Sequence, residues 1–129
     1  MTRSIFVYGT LKRRSRYHHL LGGARFVAKA SMRGVLYDLG AYPGLVQKRT
    51  AAHSVLGELY ELPEDRAPRL LRALDRYEGR EFLRRRVFVR LRNGRRRAAW
   101  TYVLKDAPAR GGPARPIRSG RYPVRRAAS

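Results

Sequence analysis

The stretch that decides the fold lies near the N-terminus, at residues 4–11, and has the sequence SIFVYGTL. Its first five residues are mostly β-branched or aromatic, which is typical of a buried strand, and Gly9 ends the run. A glycine here allows backbone N–H groups to approach a ligand such as a carboxylate or a developing oxyanion. The alternative is an ordinary turn with Tyr8 and Leu11 in the core, and these residues alone favour that alternative.

Further strands are predicted on the C-terminal side of this stretch. Residues 25–30 and 34–39 each have strand-like composition, with a break near Arg33 and Gly34. Residues 40–44 form a turn by composition, because Pro43 restricts φ and Gly44 tolerates positive φ. A short strand follows at Leu45 and Val46, and a longer one is predicted where apolar residues alternate from Ser54 to Leu62.

One helix is predicted after this alternating segment. Ala67, Leu70, Leu71 and Leu74 recur at helical spacing. The acidic residues at 64–65 fall where the helix should begin, next to the positive end of its dipole. Gly79 lies where a helix commonly ends.

A hairpin is predicted around Asn93-Gly94, because Asn-Gly suits a two-residue type I′ turn. Such a loop pairs Arg92 with Arg95 and Val89 with Ala98. One face of the hairpin would then carry Val87, Val89, Leu91, Ala98, Trp100 and Tyr102. The opposite face would carry Phe88, Arg90, Arg92, Arg95 and Arg97.

The order of these elements predicts one α+β domain with a small mixed, mostly antiparallel, barrel-like sheet and one main helix. Residues 107–116 are expected to form a loop, and Ile117 to Val124 a last ordered segment. We therefore predict a single domain over residues 1–124 and a frayed basic tail over residues 125–129.

Composition excludes several classes of site. The 129 residues include no cysteine, so disulfides, thiolate metal sites and a cysteine nucleophile are ruled out. No apolar run approaches the ~20 residues that a membrane-spanning helix needs. The first residues do not resemble a signal peptide, and we expect a cytoplasmic protein.

The chain is strongly basic, with 30 Lys and Arg against 9 Asp and Glu, for a net charge of +21. This balance favours attraction to polyanions but says nothing about the fold. The alternative is an overall preference for arginine that has no bearing on function, and we consider it the better explanation.

Carboxylates are the best candidates for catalysis, since there is no GxSxG motif, and the adjacent His18 and His19 would chelate a metal poorly. Glu78 stands out because it follows the last predicted helical turn. The negative end of the helix dipole and partial burial would both raise its pKa, as a general base near neutral pH requires. Nearby arginines would lower that pKa, so the sign of the net shift stays open. Glu58 is a second candidate if its face of the strand lines a cavity.

Five groups of residues, in order along the chain, resemble the γ-glutamylcyclotransferase-like superfamily, which includes AIG2-like and γ-glutamylamine cyclotransferase proteins. These segments are Val7-Tyr8-Gly9-Thr10-Leu11-Lys12; Leu36-Tyr37 with Tyr42-Pro43-Gly44-Leu45-Val46; Val55-Leu56-Gly57-Glu58-Leu59-Tyr60-Glu61-Leu62; Leu74-Asp75-Arg76-Tyr77-Glu78-Gly79 with Phe82, Arg84 and Val87; and Trp100-Thr101-Tyr102-Val103 with Ile117-Arg118-Ser119-Gly120-Arg121-Tyr122. Arg121 departs from the family pattern, in which aspartate is usual.

The resemblance implies a small mixed barrel and a lyase- or transferase-type enzyme that cyclises a γ-glutamyl group to 5-oxoproline and releases the attached amine. It implies Glu78 as the catalytic acid and base, and a substrate-binding set of Tyr8, Gly9, Thr10, Leu11, Tyr102 and Tyr122. It implies no metal and no cofactor, and a small-molecule γ-glutamyl substrate as the partner.

Two alternatives remain at this stage. One is a nucleic-acid- or polyanion-binding protein that uses the arginine face of the hairpin. The other is a catalytically silent binding protein on the same fold.

Overall fold

The computed structural model describes residues 2–8, 21–40, 42–48 and 53–121. Within these residues, seven strands and one helix follow one another along the chain. Their bounds are β1 (Ser4–Val7), β2 (Arg25–Asp38), β3 (Pro43–Gln47), β4 (Ser54–Glu61), α1 (Ala67–Glu78), β5 (Phe82–Leu91), β6 (Arg96–Leu104) and β7 (Arg115–Pro116).

Five of these strands form a closed barrel in the order β2-β4-β1-β6-β5. The ring closes where β5 returns to β2, at the pairs Ala30↔Leu91 and Ser31↔Arg90. β1 runs parallel to β6, and every other neighbouring pair in the barrel is antiparallel. β3 and β7 extend the sheet by pairing with the second half of β2. The predicted α+β class and the mixed, mostly antiparallel barrel are therefore confirmed.

β1 is buried on both faces because it lies between the two apolar cores. Phe6 belongs to the core inside the barrel, with residues from the other four barrel strands. Ile5 and Val7 point the other way and pack in a second core, which includes Ala67, Leu71 and Leu74 of α1. All four residues of β1 are at most 5% exposed. This double burial explains why the strand is a continuous apolar run and does not alternate.

The predicted helix is present, but its first turn differs from expectation. It begins at Ala67, its first turn contains no acidic residue, and Arg66 at the N-cap makes no side-chain capping bond. The acidic pair at 64–65 lies just before the helix, so the prediction that the helix begins at these residues is wrong. Gly79 stops the helix as predicted, because it has φ 81° and its N–H donates to the Asp75 carbonyl, but Glu78 is the last helical residue and does not follow the last turn. Nowhere in the described residues does a helix combine the length and hydropathy needed to cross a membrane.

Two predictions about the strands around residues 33–44 were wrong. β2 is continuous from Arg25 to Asp38, with no break at Gly34. What changes at that position is the partner, from β4 up to Arg33 to β3 from Gly34 onward. Pro43 and Gly44 also lie within β3 and not in the turn before it. A proline is compatible with the first residue of a strand, where its missing N–H is tolerated.

The hairpin forms, but with a register one residue away from the prediction. Arg90 pairs with Arg96 and Val89 with Arg97. Leu91 N–H donates to the Arg95 carbonyl, which leaves a three-residue loop with Gly94 at φ 87°. A type I turn followed by a left-handed residue is the usual geometry for such a loop, and Asn-Gly satisfies it as well as a two-residue turn.

The one-residue shift moves every side chain of β6 to the other face. Ala99, Thr101 and Val103, not Ala98, Trp100 and Tyr102, therefore lie on the face of Val87 and Val89. Arg97 also leaves the predicted arginine face, because it pairs at 3.0 Å with Glu61, which also contacts Arg3 and Arg25. The five-residue face predicted from the two-residue loop does not form.

The C-terminal segment is tied to the barrel by backbone bonds. Ile117 N–H donates to the Leu36 carbonyl, and Leu56 N–H donates to the Gly120 carbonyl. β7 occupies the last two residues of the segment that we predicted to be a loop. Tyr122 and the predicted domain boundary at residue 124 lie outside the described residues, so the single domain and its frayed tail remain predictions.

Gly57 is required where β4 crosses β1. A Cβ at this position would collide with the Val7 carbonyl oxygen and would lie 2.8 Å from the Phe6 ring. Relief would require a shift of the β1 backbone or of the packed ring, so we expect Gly57→Ala to lower the free energy of unfolding by about 3 kcal/mol in urea titrations. The control is Gly111→Ala, where the added Cβ meets nothing within 4 Å and the cost is the backbone strain at φ 78° alone, about 1–2 kcal/mol. A loss in Gly57→Ala no larger than in this control would contradict this account.

Candidate active site

Glu78 is the last residue of α1, where the helix ends above the barrel. Its side chain is half-buried. Burial raises the pKa of the Glu78 carboxyl from 4.5 to about 7. The sequence left the sign of this shift open, because Arg80, Arg84 and Arg85 follow closely in the chain. In the fold Arg80 and Arg85 are exposed and Arg84 is bonded to Asp75, so desolvation decides the outcome.

Three tyrosines lie within electrostatic range of the Glu78 carboxylate. Its charge contributes to raising the pKa of Tyr8, Tyr42 and Tyr102. Burial is the larger cause for Tyr8 and Tyr102, and a hydrogen bond to Glu81 is the larger cause for Tyr42. The fold therefore brings Glu78 close to two predicted site residues, Tyr8 and Tyr102, that are distant from it in sequence.

Tyr8 holds the end of β1 in a fixed position. Its ring lies in the barrel core, and its hydroxyl donates a hydrogen bond to the Tyr102 carbonyl oxygen of β6. The same hydroxyl accepts a hydrogen bond of 3.3 Å from the Leu45 N–H of β3. Three strands are thus joined at the point where the chain leaves β1 and enters the segment that contains Gly9, Thr10 and Leu11. Those three residues lie outside the described part of the chain.

Tyr102 connects β6 to the helix. Its hydroxyl donates to Asp75 Oδ1 at 2.6 Å, and Arg84 Nε donates to the same oxygen at 2.9 Å. Asp75 is three residues before Glu78, so the pair anchors the helical turn that carries the candidate base. Asp75 makes its ion pair with Arg84 of β5 and not with Arg72 or Arg76 of its own helix, because the register places Arg84 opposite Tyr102.

Tyr42 and Glu81 were not assigned to the site from the sequence. The Tyr42 hydroxyl donates to Glu81 Oε1, and the Tyr42 ring packs on Phe82 at 5.9 Å between centroids. This hydrogen bond joins the residue before β3 to the turn after α1. The Glu78 carboxylate is close enough to contribute to raising the pKa of the same tyrosine. The available signal is weak: Tyr42 belongs to a segment that resembles the superfamily, but nothing in the sequence distinguishes Glu81 from a solvated surface residue.

The second carboxylate candidate has a structural explanation. Glu58 accepts a hydrogen bond of 2.9 Å from the Tyr60 hydroxyl, two residues along the same strand face. Among the described residues, no group of three His, Asp or Glu side chains lies close enough to hold a metal ion. Of the predicted set, Glu78, Tyr8 and Tyr102 are therefore brought together, while Gly9, Thr10, Leu11 and Tyr122 are outside the described residues.

The raised pKa of Glu78 predicts a pH-dependent cost to stability. Its folded pKa of about 7 exceeds its unfolded value of 4.5. The contribution of this group to stability is therefore complete below pH 4.5 and is lost as the pH rises through 7. We expect Glu78→Gln to be more stable than the wild type by at most about 3 kcal/mol at pH 8, falling to about 1 kcal/mol by pH 5. Urea titrations at the two pH values measure this difference, and a pH-independent difference would contradict the assignment.

Comparisons with known proteins identify the family of this chain. Residues 5–124 match the family model described as gamma-glutamyl cyclotransferase, AIG2-like. A curated protein of Vibrio cholerae, provisionally named a gamma-glutamylcyclotransferase, is 32% identical over 108 residues, which cover 82% of this chain and 85% of that protein.

Solved structures show the same fold. An AIG2-like protein from Mus musculus is 26% identical, with a TM-score of 0.68 over 82% of this chain and 80% of that one. YkqA from Bacillus subtilis is 27% identical, with a TM-score of 0.73 over 95% of this chain. This chain spans only 40% of the length of YkqA. The family-model match over residues 5–124, together with the 32% identity to the Vibrio relative, shows that the chain belongs to the AIG2-like gamma-glutamyl cyclotransferase family.

Proposed function

We propose that this chain cyclises the γ-glutamyl group of a small molecule to 5-oxoproline and releases the amine attached to it. The observation that carries the proposal is the Glu78 carboxyl, half-buried beside Tyr8 and titrating near neutral pH. Family membership supports the same class of reaction.

The reaction suits a site that offers a base but no protein nucleophile. The α-amine of the substrate attacks its own γ-carbonyl carbon, so the new C–N bond is formed within the substrate. Glu78 accepts a proton from the attacking nitrogen. It then delivers that proton to the departing nitrogen as the original γ-amide bond breaks. Atoms and protons balance in these steps without a metal or a cofactor.

The pKa of Glu78 matches this double role. A group that must both accept and donate a proton works best when its pKa lies near the working pH. At a pKa of about 7, the carboxylate and the carboxylic acid are both well populated at neutral pH. An exposed glutamate, with a pKa near 4.5, would be a weaker base and would seldom be protonated.

The remaining rate enhancement would come from positioning. Holding the amine and the carbonyl in near-attack geometry lowers the activation free energy by up to about 7–11 kcal/mol, because the loss of translational and rotational freedom occurs on binding. We propose that the backbone N–H groups of Gly9, Thr10 and Leu11 bind the substrate carboxylate or the developing oxyanion. The bonds of the Tyr8 hydroxyl to β6 and β3 support this role, because they fix the position of Tyr8, the residue that immediately precedes these three. Tyr102 and Tyr122 complete the proposed substrate-binding set.

Replacing the proposed base tests the assignment directly. We expect Glu78→Gln to lower kcat by about 10²–10⁴-fold, because the amide cannot accept the proton. The assay incubates the protein with a panel of γ-glutamyl amines and dipeptides and quantifies 5-oxoproline. The control is Glu64→Gln, an equivalent change at an exposed position before α1, which should retain wild-type turnover. Equal turnover in wild type and Glu78→Gln would remove Glu78 from the mechanism.

The pH profile gives an independent measurement. With Glu78 as the base of the free enzyme, we expect kcat/KM to fall about tenfold per pH unit below a pKa of about 7 and to level off above it. Rates measured between pH 5 and 9 on one active substrate determine this limb. A limb near pH 4.5 would mean that the catalytic carboxyl is solvated and is not the half-buried Glu78.

A further inference from the structure

A groove opens in the barrel wall away from Glu78. β2 and β5 close the barrel through only two residue pairs, Ala30↔Leu91 and Ser31↔Arg90. Beyond these pairs the two strands line a groove of about 660 Å³, which we call the arginine groove. The described residues that line it are Ser31, Met32, Arg33, Gln47, Ser54, Arg86, Val87, Phe88, Val89, Arg90 and Arg96. It contains neither Tyr8 nor Glu78, so its function would be separate from the proposed cyclisation.

The arginine groove concentrates positive charge. Four of its described lining residues are arginines and none is a carboxylate. Arg90 and Arg96 are directly opposite each other in the β5–β6 register, and like charges in that position destabilise a sheet. An anion bound between them would relieve this repulsion. Arg97, next to Arg96 in sequence, differs because it is paired with Glu61 on the other face of the strand.

The groove also presents an aromatic ring to solvent. Phe88 is 55% exposed, which is unusual for a large apolar residue on a central part of a strand. The Arg86 and Arg96 guanidiniums lie 5.8 Å and 5.0 Å from the centre of its ring. Because both guanidiniums lie over this ring, an unpaired base would stack on Phe88 by displacing one of them, and the displaced cation would then be available to an adjacent phosphate.

We propose that the arginine groove binds single-stranded nucleic acid. Phosphate groups would contact Arg90 and Arg96, whose guanidiniums can bind phosphate oxygens in a bidentate manner. A base would stack on Phe88, which requires bases that are not paired in a duplex. Ser31, Gln47 and Ser54 place hydroxyl and amide groups in the same groove, where they can hydrogen-bond to sugar or base. A folded anionic protein or a lipid headgroup would also meet these arginines, but a groove of about 660 Å³ that holds a ring, cations and hydrogen-bonding side chains together matches the base, phosphate and sugar of a nucleotide.

The test measures fluorescence anisotropy of a short labelled oligouridylate with the full chain and four variants. Phe88→Ala removes the ring, and Phe88→Leu retains apolar cover but not the aromatic face. The double variant Arg90→Ser with Arg96→Ser removes two cations from the groove. Its matched control is Arg69→Ser with Arg72→Ser, which removes two exposed cations from α1 and leaves the same net charge. Thermal unfolding of each variant confirms that the fold is retained.

We expect both Phe88 variants to bind about 5- to 100-fold more weakly, the effect of losing one base–aromatic contact. The groove double variant should reduce the slope of log affinity against log salt by about 1.4, since two single-strand phosphate contacts are lost. The Arg69/Arg72 control should bind nearly as the wild type does. An abasic strand should bind wild type as weakly as the normal strand binds Phe88→Ala.

Three results would overturn the proposal. Equal weakening by the groove and α1 double variants would show attraction by net charge alone. Wild-type affinity in both Phe88 variants would remove base stacking. Displacement of the oligonucleotide by an equal phosphate concentration of duplex or of phosphatidylserine vesicles would show a surface that recognises any polyanion.

Discussion

The burial of β1 on both faces is the constraint on which the rest of this structure depends. Phe6 and Tyr8 must fill the barrel, while Ile5 and Val7 must meet the helix. β1 therefore lies between β4 and β6 in the barrel wall, antiparallel to β4 and parallel to β6. Gly57 then follows as a necessity, because a side chain at that position would collide with the Val7 carbonyl and the Phe6 ring. Moving β1 by one residue would exchange the two cores.

The site is built on that strand, and its chemistry depends on the unfavourable burial of the Glu78 carboxylate. Tyr8 continues β1 and is bonded to β6 and β3, so the segment that follows it starts from a rigid point. The helix that covers β1 ends at Glu78, close enough to Tyr8 for the two groups to interact electrostatically. Burial near those rings makes the carboxylate unfavourable and brings its pKa into the neutral range. A fold that stabilised Glu78 with a cation would be more stable and would lose that property.

The hairpin shows how a correct local interpretation can mislead about position. Asn93-Gly94 does form the turn, yet the same dipeptide suits loops of two and of three residues. The choice between them is made by packing, because Ala99, Thr101 and Val103 fill the barrel beside Val87 and Val89. The single-residue difference places Tyr102 and Arg84 next to Asp75 and sends Arg97 to Glu61. It also sets Arg90 against Arg96 at the arginine groove, whereas Phe88 faces solvent in either register.

The sequence by itself determined the class of fold, the helix and the glycine that ends it, the strands β1 and β4, and Glu78 as the candidate base. These features rest on local causes: apolar periodicity, a glycine with positive φ, and ordered segments that resemble one superfamily. Only the tertiary structure decided the partner change in β2, the hairpin register, the Tyr102–Asp75–Arg84 contacts and the direction of the Glu78 pKa shift. Each of these depends on which residues, distant in sequence, share a buried space. Desolvation and packing are set by those distant neighbours, so no single stretch of sequence reveals them.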